Sequence, residues 1–487
     1  MIEFGAWVAI PKDFLEKSGS MQFVRNGICL RYDGVASSNM ERNNMRENRF
    51  FISKFWRAGA LLGLVVPLYS FGEMPSVVLS APTPDLQGAL QVWSWNIAAA
   101  SLRELLPGFH DRYPGVGVHI EMNGTNAASR FLLSLSAGVG APDVAQLQAR
   151  EVPRYTPTGK LTDLTEMAKP YEHAFVRSFW ENCVYEGRIY AIPWDIAPCA
   201  VYYKRRLFEQ YAINPESIET WDDYVVAGKE LVARSKGKAK MLCLPTGGLN
   251  DLFEILLQQR GAQVFDESGR VAFNSPAAVD TLRLIRKLID ADIGANILPW
   301  SFEYFSTFNT DTVATYPMPS WFGGIIRDYA PKTAGDWGVF RLPAYAPGGL
   351  RTSNLGGSVL VVPTQSKQKE AAWAFIQHTL CTREAQMEQF RNFELFPGLI
   401  STHQDPFFDE PVPFFGGQQV RRLFALDIDR IPVLNRTTDW MEAVRYIQQA
   451  LSQWTAGRND TAEELAADVQ ERLCRRLNRA PASGIAP

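Results

Sequence analysis

The chain has 487 residues, 46% apolar, 12% aromatic and 21% charged. That composition excludes a disordered or fibrous protein and leaves room for two or three domains. Its 49 basic and 52 acidic side chains give a net charge of −3, too even for a basic nucleic-acid face, so no nucleic-acid partner is expected.

From Met45 the basic residues Arg46, Arg49, Lys54 and Arg57 precede an apolar run from Ala58 to Val66 that stops at Pro67. This is the layout of a cleaved secretory signal peptide, too short to span a bilayer. No cysteine follows that run before Cys183, so a lipid anchor through a lipobox cysteine is not expected and the periplasm is the expected compartment. Residues 1–44 read as an upstream extension from a misplaced start codon, and 45–80 as signal peptide and joint.

After the joint Ala81–Asp85, GALQVWSWN reads as a strand ending at Asn96, followed by a helical pattern through Leu102, Leu105, Leu106 and Phe109. Tyr113, Pro114 and Gly115 stop it. A second strand, Val116–Met122, leads through Asn123 into a helix carrying Phe131, Leu132 and Leu135, and a third strand begins at Asp143. This βαβαβ order predicts a mostly parallel sheet whose ligands sit beyond the carboxyl ends of the strands, where Trp95, Asn96, Asn123 and Gln148 fall. Residues 85–195 are thus expected to form the first part of one lobe.

Residues 196–345 read as a second, mainly helical lobe, with apolar residues at helical spacing over Trp221–Ala233, Leu252–Gln259 and Ala277–Ile289. From 346 to 480 the chain is expected to return to the hinge and both lobes: a strand within Gly357–Pro363, a helix through Ala371, Ala374, Phe375 and His378, and long helices over Asp439–Trp454 and Thr461–Leu477. The stripe Met441, Val444, Ile447, Leu451 and Trp454 reads as core. A lobe interrupted by another requires crossing segments, which make a hinge.

The six cysteines form no CxxC pair and the five histidines are dispersed, so no zinc ribbon, thioredoxin-like motif or histidine metal site is expected, and no cofactor. Cys183 and Cys199 stay open to disulfide pairing. Phosphate-loop, zinc-protease, nucleophile-elbow and dinucleotide signatures are missing from the sequence. Aromatics beside short polar groups recur instead, at Trp93, Trp95 and Asn96, at Trp194 and Asp195, and at Pro319–Gly323 around Trp321. An indole offers area to the C–H face of a sugar ring while neighbouring amides and carboxylates fix its hydroxyls. Trp93, within the same stretch as Trp95, reads as core, and Asp195 equally suits a turn or cap.

The stretch YEGRIYAIPWDIAPCAVYYKRRLFEQYAINPESIETWDDY (185–224) resembles a segment of the family 1 extracellular solute-binding proteins that serve ABC sugar importers. APDVAQLQ, TPTGKLTDLTE, PMPSWFGG and NLGGSVLVVPTQSKQKEAAWAFIQHTL follow the family's order over roughly residues 88–400. The resemblance implies an α/β, two-lobed periplasmic-binding-protein-like fold with a hinged cleft, each lobe a mostly parallel sheet flanked by helices. It also implies a monomer without enzymatic activity that closes on a carbohydrate and hands it to membrane permease subunits. Carried over by position, the ligand contacts are Trp95, Asn96, Asn123, Gln148, Trp194, Asp195, Gly247, Gly248, Trp321, Gly356, Gly357 and Ser358. The chain departs from the family pattern at Thr315 and Tyr316 and at ELFPGLI (394–400), so its ligand is expected to differ from a plain maltodextrin.

The rival reading is a secreted glycoside hydrolase, which needs two carboxyl groups roughly 5 to 10 Å apart, and no convincing pair stands out. Among ligands, polyamines need convergent carboxylates and glycerol phosphates need cations. Arg150 and Arg351 keep an acidic or phosphorylated sugar open.

Overall fold

The computed structural model describes residues 86–487 apart from 125–126, 458–459 and 485–487. The expected upstream extension, signal peptide and joint lie outside the described residues.

Eight strands carry the two lobes: β1 Gly88–Ser94, β2 Val116–Met122, β3 Val144–Gln148, β4 Ala191–Pro193, β5 Cys199–Lys204, β6 Thr315–Pro319, β7 Trp337–Arg341 and β8 Ser358–Val361. The first lobe is a five-stranded sheet in the order β2-β1-β3-β8-β4. β1 runs parallel to β2 and β3, with Val92 opposite Ile120 and Val144. β8 enters antiparallel between β3 and β4, setting Ser358 opposite Gln148. The sheet therefore closes only when the chain returns from the second lobe.

The second lobe differs from the expected mostly parallel sheet. β5 is central and pairs antiparallel with β6 and β7, while a short parallel ladder of Leu242–Cys243 with Gly294–Ala295 forms a separate two-stranded sheet. All six residues of β5 are buried. A strand covered on both faces shows a continuous apolar run rather than alternation, and such a run carries no information about its neighbours' direction.

The helices follow their sequence periods closely. The run through Leu102 and Phe109 splits into α1, Asn96–Glu104, and α2, Leu106–Arg112, at the position that puts Pro107 inside a first turn. Leu102, Leu105 and Phe109 are nevertheless all buried. In the second lobe α3 (Trp221–Arg234) starts with a reciprocal cap in which Thr220 and Asp223 satisfy each other's backbone N–H. It is followed by α4 (Asn250–Arg260) and α5 (Pro276–Asp290), and by a last pair, α6 (Trp440–Thr455) and α7 (Ala462–Leu477). Val444, Ile447, Leu451 and Trp454 of α6 are buried, as the stripe predicts, and Met441, partly buried, packs against the same core while bordering the space between the lobes. Cys183 and Cys199 are both free buried thiols, so they do not form a disulfide. Among the described residues no helix is long and apolar enough to cross a membrane.

Candidate functional site

The first lobe's contribution is organised by one amide. Gln146, buried on β3, accepts from the Ser94 hydroxyl at 2.6 Å and from the Trp95 backbone N–H at 3.1 Å, and donates to the Ser358 hydroxyl at 2.9 Å. It thereby fixes the carboxyl ends of β1 and β3 to the start of β8. Trp95 is half-buried at the entry to α1, and Asn96 beside it is exposed with a left-handed φ of 49°. Asn123 joins them through its backbone N–H, 2.7 Å from the Ser94 carbonyl. Its side-chain oxygen accepts from Arg130, while its buried amide nitrogen has no protein partner.

Asp195 sits where the chain leaves β4 for the second lobe. Its carboxylate accepts from the Ser358 N–H at 2.9 Å. Burial pushes that carboxyl up to about 6, against the opposing pull of the Ser358 hydrogen bonds. Glycine is required next door: Gly357 has φ +99°, and a Cβ there would lie 2.4 Å from the Phe179 ring and 2.8 Å from the Asp195 carbonyl.

From the second lobe Trp321 lies at the start of a short helix, its indole N–H donating to the Leu355 carbonyl at 3.1 Å. Trp300 stacks on it with ring centroids 6.0 Å apart. The Trp300 indole N–H in turn donates to Asp251 at 2.8 Å. Asp251 and Glu254 on α4 face Arg150 and Arg154 of the first lobe and one side of α6 across a cleft of about 700 Å³. Arg150 closes part of that gap, reaching Glu254 at 3.3 Å from the second lobe and Gln148 at 2.9 Å within its own. Burial raises the Glu254 carboxyl, and Arg150 and Arg436 oppose it.

Most of the sequence-predicted residues therefore converge. Trp95, Asn96, Asn123, Gln148, Asp195, Gly356, Gly357 and Ser358 surround the strand ends and hinge, and Gly356 lies against Trp321. Gly248 borders a recess beside Asp251, whereas Gly247 turns toward α6, its N–H reaching the Thr455 hydroxyl at 3.3 Å. Trp194 is a correction. It is 2% exposed in the first-lobe core, with its indole N–H 2.7 Å from Gln389, and presents no face to a ligand. Arg351 spends its donors on the Leu342 and Ile218 carbonyls inside the second lobe. Trp300, Asp251 and Glu254 were not foreseen; only the aromatic density around Pro299 and Phe302 hinted at the first. Among the described residues no cluster of acidic, histidine or cysteine side chains has the makings of a metal site.

A family model described as bacterial extracellular solute-binding protein matches residues 93–380. The chain is 27% identical over 342 residues to the arabinooligosaccharide-binding protein of Halalkalibacterium halodurans, covering 68% of this chain and 76% of that protein. It is 24% identical over 374 residues to the lactose-binding protein of Rhizobium radiobacter, covering 74% and 87% respectively. In fold it resembles a crystal structure of an extracellular solute-binding protein family 1 member, with TM-score 0.70, 21% identity and coverage of 79% and 99% of the two chains. It also resembles the ABC transporter associated binding protein from B. animalis subsp. lactis in complex with beta-1,6-galactobiose, with TM-score 0.64, 24% identity and coverage of 80% and 97%.

Proposed function

The chain belongs to the bacterial extracellular solute-binding protein family, and we propose that it captures a neutral carbohydrate by closure of its two lobes and delivers it to an ABC permease. The observation that carries this reading is the Trp300–Trp321 stack fixed to Asp251, with Trp95 held at the strand ends of the other lobe. Flat apolar faces edged by carboxylates and amides match the amphipathic surface of a sugar ring. The two arginines that kept a phosphorylated or acidic sugar open are engaged, Arg150 with Glu254 and Arg351 with carbonyls. That favours an uncharged ligand over a glycerol phosphate, and the cleft's balanced charges give a polyamine no run of free carboxylates. The names of the relatives, which are binding proteins for an arabinooligosaccharide and for lactose, support the same ligand class.

In this reading the protein works in the periplasm as a monomer after removal of a signal peptide, and it leaves its ligand chemically unchanged. The test is a thermal-shift screen of mono- and oligosaccharides, glycerol phosphates and polyamines. A ligand at about 100 times its dissociation constant stabilises the folded state by about 2.7 kcal/mol. Mass spectrometry of the recovered sugar distinguishes capture from hydrolysis. Stabilisation by no saccharide, or recovery of cleaved products, rules the proposal out.

A further inference from the structure

Two buried donors between the lobes have no acceptor. The Arg436 Nε and the Trp440 indole nitrogen are both fully buried, and neither meets a hydrogen-bond partner among the described residues. Both groups can only donate. They lie together, the Arg436 guanidinium 4.9 Å from the centre of the Trp440 ring. A buried donor left unpaired is costly, and more so on a charged group.

Arg436 borders a chamber of about 10 Å³ whose walls come from both lobes, Arg150 and Asn182 from the first, Glu254 and Gln258 from the second, with Gly356 between them. That volume has room for a single water-sized particle. The acceptors around it are engaged. Asn182 accepts from another nitrogen of Arg436 itself, and the Gly356 carbonyl accepts from the Asn354 amide at 3.0 Å. The Glu254 carboxylate is reached by Arg150 at 3.3 Å, so two guanidinium groups share one carboxylate. Asp251, one turn before Glu254, belongs to the cleft side and accepts from Trp300. Burial pulls the Arg436 guanidinium down to about 10, with Glu254 opposing that shift and Arg150 adding to it. A water that accepted from Arg436 would bring two hydrogens in need of acceptors, whereas an anion accepts without donating.

We propose that the chamber is a binding site for one monatomic, monovalent anion of chloride's size, held by Arg436 and by Arg150 from the other lobe. Larger oxyanions exceed its volume. Because its walls belong to both lobes, opening takes the site apart, and a bound anion favours the closed arrangement. The inference stands beside the carbohydrate reading and does not depend on it.

The test uses the whole protein without saccharide. Wild type and Arg436→Met are melted in sodium chloride and in sodium gluconate at equal concentration and pH, and wild-type crystals soaked in sodium bromide are measured for anomalous scattering. With chloride at about ten times its dissociation constant, wild type is expected to gain about 3–6 °C over gluconate beyond any difference that Arg436→Met shows. A bromide peak is expected in the chamber beside Arg436. A chloride titration that leaves wild-type melting at its gluconate value, a chloride effect that Arg436→Met retains in full, or a chamber without a bromide peak overturns the site and leaves a water as the acceptor. The bromide measurement needs no variant, so it decides the matter even where the substitution prevents folding.

Discussion

Replacing Trp194 by Phe separates the core from the ligand cleft. In the first-lobe core the Trp194 indole N–H lies 2.7 Å from the Gln389 side-chain oxygen, which also accepts from Ser101 at 3.2 Å. The amide end of Gln389 donates to the Thr379 carbonyl at 2.8 Å, so the side chain cannot turn to recover the lost donor. Removing one of two donors to a buried oxygen costs about 1 kcal/mol, the low end of the range because Ser101 remains. The smaller ring leaves a void in a site that is 2% exposed, worth about 1–2 kcal/mol when scaled from the roughly 3–5 kcal/mol of a full truncation to Ala. Together these give about 2–3 kcal/mol. At about 2–4 °C per kcal/mol for a domain of about 200 residues, the melting temperature should fall by about 4–12 °C. Scanning calorimetry of the ligand-free protein measures it, and titration with the saccharide found in the screen should show an affinity within about twofold of wild type. An unchanged melting temperature together with a large loss of affinity would refute the reasoning and return Trp194 to the cleft.

The opposite pattern is expected of Trp321→Ala, which removes the inner ring of the stack and should weaken saccharide binding by at least about tenfold in calorimetry while lowering stability less than a fully buried indole would. Arg150→Met removes the ion pair to Glu254 that joins the lobes; ligand affinity should fall about five- to thirtyfold, matching about 1–2 kcal/mol lost from the closed form only, and small-angle scattering of the ligand-bound protein should report a larger population of open molecules. Asp195 has its carboxyl raised from 3.8 to about 6 by burial, so the folded state holds a proton that the unfolded state has released. Stability from that proton is present in full below pH 3.8 and lost as pH rises through about 6. At about 1.36 kcal/mol per unit the loss is at most about 3 kcal/mol. Melts of wild type and Asp195→Asn at pH 5 and pH 8 check this: the variant, which keeps the oxygen that Ser358 donates to, should show a smaller decline, and equal declines would exclude the assignment.

Much of the architecture was legible because its periods are clean. Val116–Met122 is read to the residue, and the pattern over Trp221–Ala233 extends by a single residue to Arg234. Strand direction was hidden in β5, where burial of every residue erases alternation. Trp194 is drawn into the core by packing and by the Gln389 side-chain oxygen, 195 residues later in the chain, a contact that its polar neighbour Asp195 does not reveal. Trp300 and Asp251 were invisible for a similar reason: they meet across 49 residues of sequence, and no local pattern records such a pairing. Glu254 is likewise defined by Arg150, 104 residues earlier.

Gln146 ties three strand ends together with its two oxygen contacts and one nitrogen contact, and this divides the labour of recognition between the two jaws of the cleft. On that side any new ligand must fit a template already set during folding, because a change that suited one hydroxyl would unfasten all three anchors at once. Divergence in ligand preference should therefore accumulate in the opposite jaw, around the turn that carries Trp300, where side chains are linked in a series and can be exchanged one by one.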